Sequence, residues 1–161
     1  MMKRTAFTMI ELVFVIVVIG ILAAIAIPKF AATRDDAQLV KGRSDISAIR
    51  SAIVSERQAR LLQGSSTFIN QLHSGVAGVK SILFENNGTA ANSLLQYGIA
   101  TQDNTNGHWD DNATANGTNW QYTYRVMNTN IVFDYNRTNG TFTCNRAAAG
   151  NAGEYCRRLV D

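Results

Sequence analysis

From Phe7 to Ile27 the chain reads FTMIELVFVIVVIGILAAIAI, and no face of a helix drawn through it is polar. Glu11 is the single charge, and the 16 residues from Leu12 to Ile27 carry none. At about 1.5 Å per residue the run reaches about 31 Å, close to the hydrocarbon thickness of a bilayer. A core helix would keep a polar stripe, so the pattern predicts a membrane-crossing helix over 7–28. Without a polar break the run passes through Pro28 into a second pattern over 29–62. There Leu39, Gly42, Ile46, Ile49 and Ile53 recur three and four residues apart, with Arg34, Asp36, Lys41, Arg43, Arg50 and Arg57 between them. That is an amphipathic helix ended by the turn signal Gly64-Ser65-Ser66. The two patterns make one helix of roughly 50 residues, about 75 Å long. Pro28 removes a backbone donor and predicts a bend, and Gly20 weakens the same half.

Beyond the helix the signals are mixed. A short helix is expected near Phe68 to His73 and a strand from Lys80 to Glu85. The stretch Gln102 to Asn119 is rich in Asn, Asp, Gly and Thr and reads as a long exposed loop. After it the period becomes two. Trp120, Tyr122, Tyr124 and Val126 alternate with polar residues, as do Ile131, Phe133 and Tyr135, and Thr141 to Cys144 continues after a turn. A three-stranded antiparallel meander over about 120–144 follows, with an aromatic face for the stripe of the long helix to cover. The expected class is α+β, with residues 29–161 forming the head.

Composition narrows the field. An apolar share of 46%, a charged share of 17% and a single Pro exclude a collagen and a charged disordered chain. Of the net charge of +3, Lys3 and Arg4 at the extreme N-terminus supply two, so nothing indicates a nucleic-acid partner. That positive end holds the N-terminus in the cytoplasm and places the head on the far side of the membrane. An ordinary signal peptide cleaved near Ala23-Ala24-Ile25-Ala26 is the competing reading. Glu11 argues against it, because a charge inside a membrane segment marks a functional site. Cys144 and Cys156 bound 13 residues, and in an exported chain a disulfide is the default, contributing roughly 3 kcal/mol. No nucleophile elbow, phosphate loop or His-x-x-x-His occurs, and His73 and His108 read as packed or exposed residues, so no enzyme is expected.

Lys3-Arg4-Thr5-Ala6 followed by Phe7-Thr8-Met9-Ile10-Glu11-Leu12 resembles the signal and N-terminal segment of type IV pilins and type II secretion pseudopilins. The resemblance implies cleavage by a prepilin peptidase between Ala6 and Phe7, leaving 1–6 as a leader, and methylation of the new Phe7 amine. Gly20 and Pro28 fall where that family carries its helix-softening residues. Ala6 departs from the Gly usual before the cut. Glu11 would then pair with the Phe7 amine of a neighbouring subunit and set the axial step, since a lone carboxylate in hydrocarbon needs a positive partner. The implied function is a structural subunit of a pilus-like or pseudopilus filament assembled through the N-terminal helix. Implied partners are further copies and related pilins, the peptidase, an inner-membrane assembly platform and, before assembly, inner-membrane lipid. The implied location is a single pass of the inner membrane with the head in the periplasm, or the filament surface. The other function class is a membrane-anchored binding or enzymatic domain on an uncleaved anchor.

The resemblance adds two expectations for the head: a long helix on a small antiparallel sheet, and a C-terminal loop closed by Cys144–Cys156. The oxygen-rich run from Asp103 to Gly107, with Asp110 and Asp111, suits calcium, which major pseudopilins bind in the head. Asn-x-Thr occurs at Asn87, Asn112 and Asn136, each with an acid two residues earlier (Glu85, Asp110, Asp134). These three are candidate N-glycosylation sites, with Asn87 and Asn112 expected in loops.

Overall fold

The computed structural model describes residues 7–73, 83–84, 94–95 and 98–161, with the side chains of Pro28, Ala31, Ala32 and Asn112 outside that description. The chain divides into two units, Met1–Asp36 and Ala37–Asp161. Helix α1, Met9–Leu62, runs through the boundary. Its start and stop are chemically marked. Thr8 accepts the Glu11 N–H on its hydroxyl at 3.3 Å, and its carbonyl accepts the Leu12 N–H at 3.2 Å, which makes Thr8 the N-cap. At the other end the Ser65 N–H reaches the Arg60 carbonyl at 2.9 Å and the Gly64 N–H reaches Leu61 at 3.0 Å. With Gly64 at φ +80, this is a glycine-terminated stop that uses up the last carbonyls.

In the first unit Met9–Ile27 is long and apolar enough to cross a membrane. Its large side chains are exposed, Ile10 at 79% and Leu22 at 61% among them. The backbone stays helical through Pro28, although proline offers no N–H to the carbonyl of Ala24.

In the second unit a four-stranded antiparallel sheet runs β1 (His108–Asn116), β2 (Asn119–Val126), β3 (Thr129–Asn136) and β4 (Thr141–Cys144), in that spatial order. The expected alternation holds: Tyr122, Tyr124, Val126, Ile131, Phe133 and Tyr135 are buried, and Tyr122 stands opposite Phe133 and Tyr124 opposite Ile131. The α1 stripe Leu39, Ile46, Ile49 and Ile53 is buried in the same core. Gly42, on that stripe, is packed closely by the facing layer. A Cβ there would stand 2.7 Å from both Leu159 Cδ2 and Tyr124 Cε1.

Three expectations are corrected. The stretch expected as a long loop contains β1, because Trp109 is fully buried against Tyr124, Phe133 and Phe84, with centroids 5.1–5.5 Å apart. A register shift between Trp109 and Ala113 lets the strand absorb Asp110-Asp111 while both flanking residues face the core. The sheet therefore has four strands. No helix forms over 68–73, because that segment's backbone is claimed by the sheet. The Tyr135 hydroxyl donates to the Ile69 carbonyl at 2.7 Å, and the Leu72 N–H donates to the Tyr122 hydroxyl at 2.9 Å. The C-terminal segment is not only a loop, since helix α2, Asn151–Val160, lies inside it. Its buried Gly153, Cys156 and Leu159 are three apart, one helical face. The strand expected from Lys80 to Glu85 lies mostly outside the described residues; within them, Leu83 forms an isolated bridge with His73. The Cys144–Cys156 disulfide is present and ties β4 to α2.

Two outcomes follow from this packing. Gly42→Ala gains about 1 kcal/mol of helix propensity but overpacks a site where Tyr124 is held by its hydroxyl on the Gln38 carbonyl at 2.7 Å, a cost of about 1–3 kcal/mol. Near-ultraviolet circular dichroism of the full chain in detergent should show a lower melting midpoint for Gly42→Ala. Gly20→Ala should leave the midpoint unmoved, because Gly20 lies in the other unit and a Cβ added there meets nothing within 4 Å. Cys144→Ser should lower the same midpoint by an amount matching up to about 3 kcal/mol, and reductant should reproduce that loss in the parent chain.

Candidate functional site

The chemistry of the N-terminal unit is concentrated in its first turn. Phe7 is 74% exposed, Thr8 caps the helix, and Glu11 follows three residues later. The Thr8 hydroxyl, besides accepting the Glu11 N–H, lies 3.5 Å from Glu11 Oε2 as a donor. Glu11 therefore sits over the positive end of α1, which stabilises a carboxylate by about 0.3–1 kcal/mol. Sequence reading singled out Glu11 and missed Thr8, although Thr-x-x-Glu ahead of an apolar run is the signature of a reciprocal cap. After Glu11 no charge occurs until Lys29, so this carboxylate is the polar landmark of the exposed span.

Ala6 and the leader lie outside the described residues. Gly20 is helical in open space, and Pro28 is helical in backbone. Of the candidate glycan acceptors, Asn87 lies outside the described residues. Asn112 is in β1 and not in the loop expected for it. Asn136 ends β3, and its Oδ1 accepts the Thr138 N–H at 2.8 Å. In the oxygen-rich run, Asp103 accepts the Asp111 N–H at 2.9 Å and Asp110 the Asn104 N–H at 3.3 Å, so these carboxylates shape the turn before β1. Among the described residues no group of three or more His, Cys, Asp or Glu is placed to hold a metal ion.

Two polar pairs in the head, one part-buried and one buried, were not legible in the sequence. Trp109 Nε1 donates to Asp45 Oδ2 at 3.1 Å, while burial pushes the Asp45 carboxyl up and that hydrogen bond opposes it. His73 is buried with Nδ1 3.0 Å from the Tyr122 hydroxyl and its ring edge-on to Trp120, centroids 4.6 Å apart. The Tyr122 oxygen already accepts the Leu72 N–H. The same hydroxyl thus joins the His73 ring to the backbone of Leu72, with the direction of the Nδ1 hydrogen bond set by the imidazole tautomer.

Residues 1–27 match the family model described as the prokaryotic N-terminal methylation motif. The match spans the leader, Phe7, Glu11 and the apolar run of α1. It is similar to a type IV narrow pilus major component, PilA5, of Thermus thermophilus, 47% identical over 51 residues covering 32% of this chain and 44% of that protein. It is also similar to the type II secretion system core protein G of Pseudomonas aeruginosa, 37% identical over 51 residues, 32% and 36% of the two chains. A fimbrial protein of Pseudomonas aeruginosa is 42% identical over 52 residues, 32% and 34% of the two chains. The chain spans less than half the length of each of these relatives. No solved structure matches it significantly.

Burial holds the His73 imidazole below its ordinary 6.5. The unfolded chain then binds a proton in the window just below 6.5 that the folded head refuses, so stability rises with pH there and falls on acidification. The melting midpoint of the parent chain should drop between pH 7 and pH 5.5, and His73→Gln should flatten that slope. An equal slope in both would show that another group carries it.

Proposed function

We propose that the chain is a structural subunit of a type IV pilus-like or type II secretion pseudopilus filament. The observation that carries the reading is Glu11, a lone carboxylate in the first turn of an exposed apolar span, within a matched methylation motif. Before assembly Glu11 is held by its own helix end and by Thr8. Cleavage between Ala6 and Phe7 would create an amine one residue ahead of that cap. In a filament the amine of one copy and the Glu11 of the next form the pair that offsets the desolvation of each. The exposed apolar side chains then exchange lipid for neighbouring helices, where dispersion and close packing replace contacts with acyl chains. The membrane-crossing helix and positive N-terminus support an inner-membrane precursor with the head in the periplasm. A simple anchor has no use for a carboxylate at this depth, which disfavours an anchored binding or enzymatic domain.

Co-expression with a prepilin peptidase should shorten the chain by the six residues before Phe7 and leave a methylated Phe7 amine, read by intact mass. An unshortened chain would refute the processing step. Glu11→Ala should leave the head's near-ultraviolet spectrum and membrane insertion unchanged while filament yield collapses. Parental yield from that variant would remove Glu11 from assembly.

A further inference from the structure

An asparagine followed by glycine can be attacked by its own backbone, because glycine sets no Cβ between its nitrogen and the asparagine carboxamide. The chain has four such pairs, at Asn87, Asn106, Asn116 and Asn139. Asn87 lies outside the described residues, and the other three stand at turns of the second unit. Two of those three are locked. The Gly107 N–H donates to the Arg125 carbonyl at 2.7 Å. The Asn106 carboxamide is clasped by Asn128, giving Nδ2 to its Oδ1 at 3.0 Å and accepting its N–H at 2.8 Å. Likewise the Gly140 N–H donates to the Asn136 carbonyl at 2.8 Å. Asn139 Oδ1 accepts both the N–H and the hydroxyl of Thr141, at 3.0 and 2.7 Å. In both pairs the nitrogen and the carboxamide must give up these bonds before they can meet.

Asn116-Gly117 is different. Strand β1 lies at one edge of the sheet and ends at Asn116, and Gly117-Thr118 closes the hairpin as a two-residue loop with Gly117 at φ +61. Asn116, Gly117 and Thr118 are all exposed, and a Cβ on Gly117 would meet nothing within 4 Å. Among the described residues neither the Gly117 N–H nor the Asn116 carboxamide has a hydrogen-bond partner. Rotating Asn116 towards the Gly117 nitrogen disturbs only its pairing with Asn119, the last of an edge ladder. Opening at such a position is the least costly kind of local unfolding.

We propose that Asn116 is a self-modification site, converted to a carboxylate by the backbone nitrogen of Gly117. The nitrogen gives up its proton and bonds to Asn116 Cγ, closing a succinimide ring. The Cγ–Nδ2 bond breaks, and the side-chain nitrogen leaves as ammonia with that proton. Water then opens the ring at either carbonyl. Opening at Cγ gives aspartate, and opening at the main-chain carbonyl gives isoaspartate, with the backbone rerouted through the side chain. Water is the only co-reactant, so negative charge accumulates at this tip with the age of the folded head. It arises opposite Asn119, which itself stands opposite Asn136. The reaction therefore alters a row of neutral amides at the end of the sheet and leaves the aromatic core untouched.

The test compares each pair with itself, folded and unfolded, so that the effect of neighbouring residues cancels. The full chain in detergent and the same chain in guanidinium are held in mildly alkaline buffer, and the loss of each asparagine is followed by peptide mapping. Unfolding should speed Asn106 and Asn139 at least about tenfold, a barrier difference of about 1.4 kcal/mol, and Asn116 by no more than about threefold. The products at Asn116 should be aspartate and isoaspartate together, both labelled when the water is enriched in heavy oxygen. Asn116→Gln, whose longer side chain cannot close the same ring, should abolish the change at that position and leave the head's near-ultraviolet spectrum as it was. Protection of Asn116 by folding to the same degree as the other two would overturn the proposal. So would equal loss at all three in the folded chain, or aspartate without isoaspartate, which is the mark of direct hydrolysis.

Discussion

Burying a carboxylate in hydrocarbon is so unfavourable that the N-terminal unit is organised around avoiding it. Glu11 stands at the one place on an apolar helix where the backbone itself offers positive charge, the first turn, and Thr8 adds a hydroxyl there. Everything C-terminal to it as far as Ile27 is uncharged. The helix can therefore sit in lipid or among other helices with equal ease. In the filament proposed above, the axial position of a neighbour would be felt through this single polar group, in the way a lone polar residue fixes register in an apolar seam.

The head solves a different problem with different chemistry. Its sheet is faced with aromatic rings, and several of them carry hydroxyls that do the work usually left to secondary structure. Tyr135 takes the proton acceptor of Ile69, Tyr122 serves Leu72 and His73, and Tyr124 serves Gln38 on α1. Over 68–73 the chain is irregular, and buried tyrosine hydroxyls stand in for ladder partners of Ile69 and Leu72. Burial raises the Tyr122 and Tyr124 hydroxyls well above their ordinary range, so both stay protonated donors.

These two solutions differed in how openly the residues declared them. The apolar run, the stripe Leu39 to Ile53 and the alternation from Trp120 to Tyr135 are periodic, and periodicity predicts which face is buried without knowing what buries it. Glu11 stood out as a charge where none belongs. Strand β1 was hidden because its composition is that of a turn. One tryptophan, whose burial depends on Tyr124 and Phe133 arriving from elsewhere, decides its structure. Helix α2 was hidden because Cys156 reads as a bridge before it reads as a core residue, and its ten residues are too few to form a helix without tertiary support. The hydrogen bond of His73 depends on a tyrosine 49 positions away.

The hydrogen bonds from Arg50 to Phe142 have a bearing on how such a molecule survives being crowded. Strand β4 ends the sheet, and an end strand normally shows a row of open carbonyls and amides to any extended peptide nearby. Here a two-pronged cation already occupies the middle carbonyl. At the far end the Gln102 N–H takes the carbonyl of Trp109 at 2.9 Å. A foreign strand would have to evict a charged fork from one side or a tethered segment from the other before it could add itself. Heads at high local density are therefore kept from zipping their sheets together edge to edge.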